Sequence, residues 1–182
     1  MSLELQPTHL ANQLVKLMPL QPGDFDRLFA VASDPLLWEQ HPDRYRYKEE
    51  QFRKFFDSGI ASKGAFLVMD VRTGELVGST RYYECDIACR SVAIGYTFIA
   101  RSHWGTPFNR VLKELMINYA FEYVDKIYFH VGETNMRSQK AVQKLGAVKT
   151  GEIVMDGPNE VKRLNYTYEL TKQAWAATNN AL

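Results

Sequence analysis

Residues 91–131 read SVAIGYTFIARSHWGTPFNRVLKELMINYAFEYVDKIYFHV, and this stretch decides the fold. Ser91 to Ile99 is a mainly apolar run that predicts a strand. Residues 111–123 carry apolar side chains at a spacing of three and four, which predicts a long helix. Lys126 to Val131 predicts a second strand, so the three elements form a right-handed crossover unit with parallel strands. Strict alternation would place Ile94, Tyr96 and Phe98 on one face of the first strand.

Further strands and helices are predicted on both sides of this unit. Strands are predicted at 15–20, 65–71, 76–84, 91–99, 126–131, 148–155 and 161–170. Helices are predicted near 24–32, at 52–60 with Gly64 at the end, at 111–123, and at 135–145 closed by Gly146. The order predicts an α/β (α+β) fold. Its sheet is mixed, mostly antiparallel and of about seven strands, flanked by about four helices.

The composition fits one domain. The chain has 182 residues, with 22 Lys and Arg against 21 Asp and Glu and a net charge of +1. This balance argues against a protein that wraps nucleic acid. The longest uncharged apolar stretch, Val92 to Ala100, is far below the roughly 20 residues that a membrane-spanning helix needs. No linker divides the sequence, so we expect a single domain over residues 1–182, with its core at about 14–170.

The two cysteines, Cys85 and Cys89, match neither a zinc spacing nor a redox pair. We therefore expect free thiols and no metal. The first residues lack the basic and apolar regions of a secretory signal, which together with free thiols favours the cytoplasm. The sequence leaves monomer and homodimer open.

Two helix starts have features of ligand-binding sites. The first, at 101–110, leads from the end of a strand into the long helix, with Thr106 as the expected N-cap and Pro107 at the first helical position. Unpaired N–H groups and the helix dipole at such an end attract phosphate. An ordinary capped helix is the alternative. Positive charge nearby comes from Arg101, Arg110 and Lys113.

The second start is Asn135, an expected N-cap, followed by Ser138 on the apolar side of the helix. A serine there is small enough to let a ligand approach. From spacing alone, a serine that is simply packed is equally compatible with the pattern.

These motifs resemble the GCN5-related N-acetyltransferase (GNAT) family, and most closely its ribosomal-protein N-terminal acetyltransferase (Rim) branch. The resemblance rests on IGYTFIARSHWG, on the helix ending NYAFE, and on NMRSQKAVQKLGA followed by GEI, and it covers about residues 14–170. It implies acetyl transfer from acetyl-CoA to an amine, either a protein N-terminus or a small molecule.

The resemblance also implies where acetyl-CoA binds. The strands at 91–99 and 126–131 would splay apart, pantetheine would pair with the backbone of 98–100, and the pyrophosphate would lie on the loop at 104–110. The cofactor-binding residues implied are Phe98, Ile99, Ala100, Trp104, Gly105, Thr106, Phe108, Asn109, Arg110, Asn135 and Ser138.

The sequence departs from the family pattern at four positions. Pro107 removes one N–H donor from the phosphate loop, and Asn109 adds a side chain where a small residue is usual. Val142 stands where many members carry a tyrosine that protonates the leaving thiolate, which leaves Ser138 as the local donor. Ala93 stands where the Rim branch often has an acidic residue.

The base must therefore come from elsewhere. Glu84, at the end of the preceding strand, is the expected base, with His103 or water as the alternative. A solvated strand-end carboxylate is an equally plausible interpretation of Glu84. The acceptor is expected to contact the segment 36–47 and nearby aromatic residues, unless these simply form a tyrosine-rich core. The substrate residues expected are Tyr82, Tyr96 and Trp38, with Tyr83 beside them.

Two other functions remain open at this point. A non-catalytic module of the same fold would hold CoA or acyl-CoA without turnover, and the altered loop, the missing tyrosine and the missing acidic residue keep it open. A domain whose helices mainly bind a protein partner is the third possibility.

Overall fold

The computed structural model describes residues 3–156 and 162–179, which contain a seven-stranded sheet and five helices. The strands are β1 (Val15–Pro19), β2 (Ala65–Asp70), β3 (Leu76–Asp86), β4 (Ser91–Ile99), β5 (Lys126–Gly132), β6 (Val148–Asp156) and β7 (Lys162–Thr171). The helices are α1 (Phe25–Ala32), α2 (Glu49–Ser62), α3 (Phe108–Ala120), α4 (Met136–Gln143) and α5 (Lys172–Asn179).

The strands lie in the order β1-β2-β3-β4-β5-β7-β6. Every neighbouring pair is antiparallel except β4 and β5, which are parallel and are joined by α3. The predicted mixed sheet of seven strands and its parallel central pair are therefore confirmed.

Two apolar clusters form the core. In the larger one, Leu112, Met116 and Ile117 of α3 are fully buried with Val92 of β4 and Ile127 of β5. The second cluster contains the phenylalanines of α1 and α2, with Leu67 of β2 and Phe98 of β4. Because burying a large apolar side chain contributes roughly 1.5–3 kcal/mol, these clusters fix both helix layers on the sheet.

Helix ends differ from the sequence expectation at two places. α2 is capped by Lys63 in the left-handed conformation (φ 50°), not by Gly64. Gly64 is needed for another reason, because a Cβ there would lie 2.2 Å from the Tyr82 carbonyl oxygen. At the start of α3, Pro107 is the N-cap and Phe108 the first helical residue, so the predicted cap at Thr106 was one residue early.

The C-terminal region holds one element that the sequence pattern did not predict. α5 has a single buried apolar anchor, Trp175, whose indole donates to Asn118 Oδ1 at 2.7 Å. One anchor leaves no apolar stripe to recognise in a sequence. The predicted final strand began at residue 161, which lies outside the described residues.

A bulge in β4 overturns the expected alternation of its side chains. Ser79 pairs with Phe98 but Arg81 pairs with Gly95, so Tyr96 and Thr97 together lie opposite a single residue of β3. Tyr96 takes a positive φ of 52° there. The predicted shared face of Ile94, Tyr96 and Phe98 is therefore wrong: Ile94 packs in the larger cluster, and Phe98 packs on the other face of the sheet.

β4 and β5 part soon after they begin. Only three residue pairs join them, and the last is Ala93 with Tyr128. Beyond that point β4 stays paired with β3, and β5 stays paired with β7 as far as Gly132. The gap between the two parallel strands opens the groove that holds the candidate site.

Candidate active site

The groove has a volume of about 1160 Å³. Its walls are the open edges of β4 and β5, the N-terminal ends of α3 and α4, and part of the segment 37–46. Small-molecule sites usually measure about 300–1,000 Å³, so the groove has room for an extended ligand and a second molecule.

The loop before α3 presents unpaired backbone donors to this groove. Gly105 has a φ of +73°, which an L side chain rarely adopts, and this turn leads the chain into the helix. The Thr106 hydroxyl donates to the His103 carbonyl at 2.7 Å and accepts from the Phe108 N–H at 3.3 Å. In the described part of the chain, no acceptor is found for the N–H groups of Gly105, Thr106, Asn109 and Arg110. These donors at a helix N-terminus suit a phosphate.

The nearby arginines are already paired. Arg110 donates to Glu114 at 2.7 Å, and Arg101 donates to Asp34 at 2.5 Å. Both pairs are partly exposed and therefore contribute little to stability. The backbone donors and the dipole of α3 are thus the main anion-binding features of the loop.

Trp104 links the phosphate loop to both sides of the groove. Its indole N–H donates to the Ile99 carbonyl at 3.0 Å, and the Arg137 guanidinium lies 3.8 Å from the ring centroid. The contact joins the end of β4 to the start of α4, and the Trp104 side chain lines the groove between them.

Two of the expected cofactor residues already have backbone partners. The Ala100 N–H donates to the Val77 carbonyl at 2.7 Å and is not free for pantetheine, and the Ala100 carbonyl accepts from the His103 N–H at 2.9 Å. The Phe108 side chain is buried in the core, and its N–H is held by Thr106. Phe98 and Ile99 line the groove as expected.

The start of α4 is fixed as the sequence predicted. The Asn135 side chain accepts from the Ser138 N–H at 3.2 Å, and both residues line the groove. Gln139, which the sequence analysis did not single out, donates to the Gly132 carbonyl at 3.2 Å and accepts from the Tyr168 hydroxyl at 3.2 Å. α4 is thereby tied to the end of β5 and to β7.

A buried lysine lies on the α3 side of the groove. Lys113 Nζ donates to Thr97 Oγ1 at 2.6 Å and more weakly to Thr80 Oγ1 at 3.4 Å. Burial lowers the pKa of Lys113 to about 7. No carboxylate within 3–156 and 162–179 pairs with it. The sequence showed only a cation on a helix, with nothing to mark it as buried.

The expected base, Glu84, lies beside the groove and not in its wall. It has a positive φ of 48° at an irregular part of β3, and its side chain is half exposed. Its Oε2 is 3.6 Å from Nδ1 of His130, a buried groove residue that also contacts the Tyr83 hydroxyl at 3.1 Å. Burial lowers the pKa of His130, and the Glu84 charge opposes this shift.

The alternative base, His103, is held at the phosphate end of the groove. Its Nε2 lies 3.1 Å from Oδ2 of the buried Asp70. Hydrogen bonding from Arg72, aided by that from His103, lowers the pKa of Asp70. His103 thus anchors the loop to β2.

The three expected acceptor residues lie in different places. Tyr96 is 39% exposed and lines the groove. Trp38 lines it too, though it is mostly buried, with its indole donating to the Ala32 carbonyl at 2.7 Å. Tyr82 does not reach the groove: it is fully buried in the larger cluster and donates to the Met116 carbonyl at 2.6 Å. It belongs to the core, as the alternative interpretation held.

Two features are not found in the described residues. No group of three or more His, Cys, Asp or Glu side chains converges within the described residues in the way a metal ion requires. In the same part of the chain, no helix is long and apolar enough to cross a membrane.

Solved structures share this fold. A GNAT-family protein from Chromobacterium violaceum superposes with a TM-score of 0.83 at 20% identity, over 97% of this chain and 92% of that one. A GCN5-related N-acetyltransferase from Brucella melitensis gives 0.78 at 19%, over 94% and 81%. Spermidine N-acetyltransferase from Vibrio cholerae, solved with CoA and spermine, gives 0.66 at 20%, over 91% and 99%. These identities establish a shared fold.

No protein of curated function matches the sequence. The family model for the acetyltransferase (GNAT) domain matches residues 15–148, which is well over half of the chain and includes β1, the splayed pair, the phosphate loop and α4. The chain therefore belongs to the GNAT acetyltransferase family.

Proposed function

We propose that this chain is an acetyl-CoA-dependent N-acetyltransferase that acetylates a primary amine, on a protein N-terminus or a small molecule, by direct attack on the thioester. The observation that carries the proposal is the parting of β4 and β5 beside a loop with four unpaired N–H donors. A peptide N-terminus is the acceptor that the resemblance to the Rim branch favours.

The chain's own groups suit the binding of acetyl-CoA. The N–H groups of Gly105, Thr106, Asn109 and Arg110 would hold the pyrophosphate. The pantetheine arm would follow the open edge of β4 at Phe98 and Ile99, against Trp104 and Asn135. Acetyl-CoA supplies the activated acetyl group, and the protein supplies orientation and charge stabilisation.

In the proposed reaction, the neutral amine nitrogen bonds to the carbonyl carbon and the carbon–sulfur bond breaks. The proton lost by the amine goes to the Glu84–His130 pair, directly or through water. The Ser138 hydroxyl, half-buried at the start of α4, hydrogen-bonds to the sulfur as negative charge develops there.

A thiol-release assay with acetyl-CoA and a panel of amines and peptides tests this function. Wild type should release CoA with at least one acceptor, and Ser138→Ala should lower kcat more than it raises the KM for acetyl-CoA. Thermal-shift titration with CoA, run in parallel, should show stabilisation.

Pro107 and Val142 favour a second candidate, a CoA- or acyl-CoA-binding module without turnover. The first lacks an N–H within the phosphate loop, and the second lacks a hydroxyl where many members carry one. Stabilisation by CoA without thiol release from any acceptor would favour the module, and absence of both would contradict both candidates.

A further inference from the structure

The acceptor side of the groove holds three arginines close together, which we call the arginine cluster: Arg46, Arg81 and Arg163. Arg46 and Arg163 line the groove, and both help to keep the pKa of His41 low after the larger effect of burial. Burial lowers the pKa of Arg46, and the positive charge of Arg81 adds to this effect. The cluster is separate from the loop before α3, whose arginines are paired with Glu114 and Asp34.

Arg46 is buried between aromatic rings but not fully bonded. Its guanidinium carbon lies 4.6 Å from the Phe55 ring centroid and 5.1 Å from that of Trp38, and 13% of the side chain is exposed. Its Nε donates to Asp43 Oδ2 at 3.3 Å, and Nη1 lies 3.4 Å from His41 Nε2. Within 3–156 and 162–179, no acceptor is found for Nη2.

The imidazole of His41 offers the arginine cluster neither a negative charge nor a hydrogen-bond acceptor. Its Nδ1 accepts from the Asp43 N–H at 2.9 Å. In the neutral ring, Nε2 then carries the proton and faces the Arg46 guanidinium as a second donor. The contact at 3.4 Å between Arg46 Nη1 and His41 Nε2 therefore does not supply the Arg46 guanidinium with a hydrogen-bond acceptor.

Arg81 is buried, and within the described residues no carboxylate pairs with it. Its residue surface is 4% exposed, and its side chain donates to the carbonyls of Phe55 and Ser58 in α2. The guanidinium lies 4.1 Å from the Tyr96 ring centroid. Its Nε is the one buried side-chain N or O atom in the described residues that has no hydrogen-bond partner. Burial lowers the pKa of Arg81.

The charges of this region do not balance. Among the described residues, three guanidinium groups stand against one groove-lining carboxylate, Asp43, which is itself bonded to Arg46. The Glu84 carboxylate, which lies beside the groove, is 3.6 Å from Nδ1 of His130. A buried cation without a counter-charge is costly, and such sites are usually completed by an anion. A guanidinium fork matches a carboxylate or a phosphate in geometry as well as in charge.

Resting on the proposed acetyl transfer, we infer that the acceptor amine carries an oxyanion, a carboxylate or a phosphate, that binds Arg46 of the arginine cluster. The anion would lie near Arg46 and Arg163, with the apolar part of the acceptor against Trp38 and Tyr96. A polyamine is a poor fit, because the groove-lining residues described offer it only one carboxylate, already paired.

Matched acceptors test the inference in the wild-type protein. The series consists of ω-amino acids with two to five methylenes, the carboxamide of each, aminoalkyl phosphates of the same lengths, and spermidine. At the best chain length, an anionic amine should exceed its carboxamide at least tenfold in kcat/KM, and spermidine should rank below both. Comparison of carboxylate with phosphate identifies the oxyanion. Equal values for acid and carboxamide, or spermidine as the best acceptor, would overturn the inference.

Variants locate the anion site. Arg46→Gln should reduce the preference for the anion to near one, and Arg163→Gln should reduce it partially. The Arg163→Gln variant still gives an answer should Arg46→Gln fail to fold. Arg27→Gln removes an exposed arginine of α1 and should keep the full preference. A preference unchanged in both groove variants would contradict the assignment.

Equilibrium binding separates this inference from the proposed function. The same acids and carboxamides are titrated into protein saturated with CoA. Preferential binding of the acids without thiol release would support the anion site and contradict acetyl transfer. Thiol release with equal binding of acids and carboxamides would support acetyl transfer and contradict the anion site.

Discussion

Gly105 gives the loop before α3 a backbone conformation that residues with a side chain rarely adopt. Its φ of +73° costs glycine little, whereas an L side chain in that region costs roughly 1–2 kcal/mol. Gly105→Ala should therefore turn the loop N–H groups away and weaken CoA binding about tenfold, measured by isothermal titration.

The chain provides a matched control for this variant. Gly74, in the turn between β2 and β3, has the same φ of +73° and equally open surroundings. Gly74→Ala should cost a similar amount in the free energy of unfolding but leave the CoA affinity unchanged. Equal CoA affinities of the two variants would contradict the role of the loop.

Lys113 should make stability depend on pH. Its pKa in the folded chain is about 7, whereas an ordinary lysine keeps its proton to pH 10.5. Between these values the unfolded state binds more protons, so the free energy of unfolding rises with pH in this window, and the burial penalty is largest below it. Relative to Lys113→Met, wild type should gain about 1.4 kcal/mol per pH unit from pH 7 to 10 in urea titrations. A difference in the free energy of unfolding that does not change with pH would mean that Lys113 keeps its proton in the folded protein.

The Glu84–His130 pair should set the acid limb of activity. Because burial lowers the pKa of His130 below its ordinary 6.5, the imidazole is neutral at neutral pH, and kcat/KM should fall only at lower pH. Glu84 stabilises the imidazolium, so Glu84→Gln should lower this pKa further and move the acid limb to lower pH. His130→Gln should lower the rate about 10²–10⁴-fold, as loss of a general base does. Full activity of Glu84→Gln with an unchanged pH profile would rule out its participation.

At the scale of elements, the position of α4 depends on a buried hydrogen-bond network more than on its short apolar face. Gln139 bonds to the Gly132 carbonyl and to the Tyr168 hydroxyl, and its amide also donates to the Glu133 carbonyl at 2.8 Å. This network holds Ser138 and Asn135 at the open end of β5.

Gln139→Leu should therefore destabilise the protein by about 1–3 kcal/mol, because it leaves buried polar groups without partners. It should also raise the KM for acetyl-CoA, since Ser138 and Asn135 lose their fixed place. Gln143→Leu, on the exposed side of the same helix, is the control and should change neither quantity. Equal unfolding midpoints for the two variants would argue against the network.

The same elements show what the sequence could and could not predict. Apolar patterns identified the strands and the first four helices, and most of these elements bury apolar side chains; β6 is an exception, since none of its described residues is buried. α5 was not predicted because Trp175 is its one buried apolar residue among those described. The bulge at Tyr96 was not predicted because side-chain alternation is a local rule, whereas the bulge depends on how β4 pairs with β3. Residues that meet only in the fold, such as Arg46 and Arg81, look like ordinary surface cations in the sequence.

At the scale of the whole molecule, the order of the strands determines where the groove lies. Because the sole parallel pair sits at the centre and parts after three residue pairs, its open edges, the start of α3 and the start of α4 all face one groove. Asn135, Ser138 and Trp104, which the resemblance implies as cofactor-binding residues, line this groove, and their contact with acetyl-CoA stays a prediction. Of the expected acceptor residues, Tyr96 and Trp38 line the groove, whereas Tyr82 lies in the core, because the face of β3 on which it falls depends on the packing of α3.

The central claim is that CoA binds in the gap between β4 and β5 with its pyrophosphate on the loop before α3. A crystal structure of the protein with CoA tests it most directly. We expect phosphate oxygens within 3.2 Å of the backbone nitrogens of Gly105, Thr106, Asn109 and Arg110, a hydrogen-bond distance, and the thiol beside Ser138. CoA bound elsewhere, or β4 and β5 paired along their whole length with the groove closed, would contradict it.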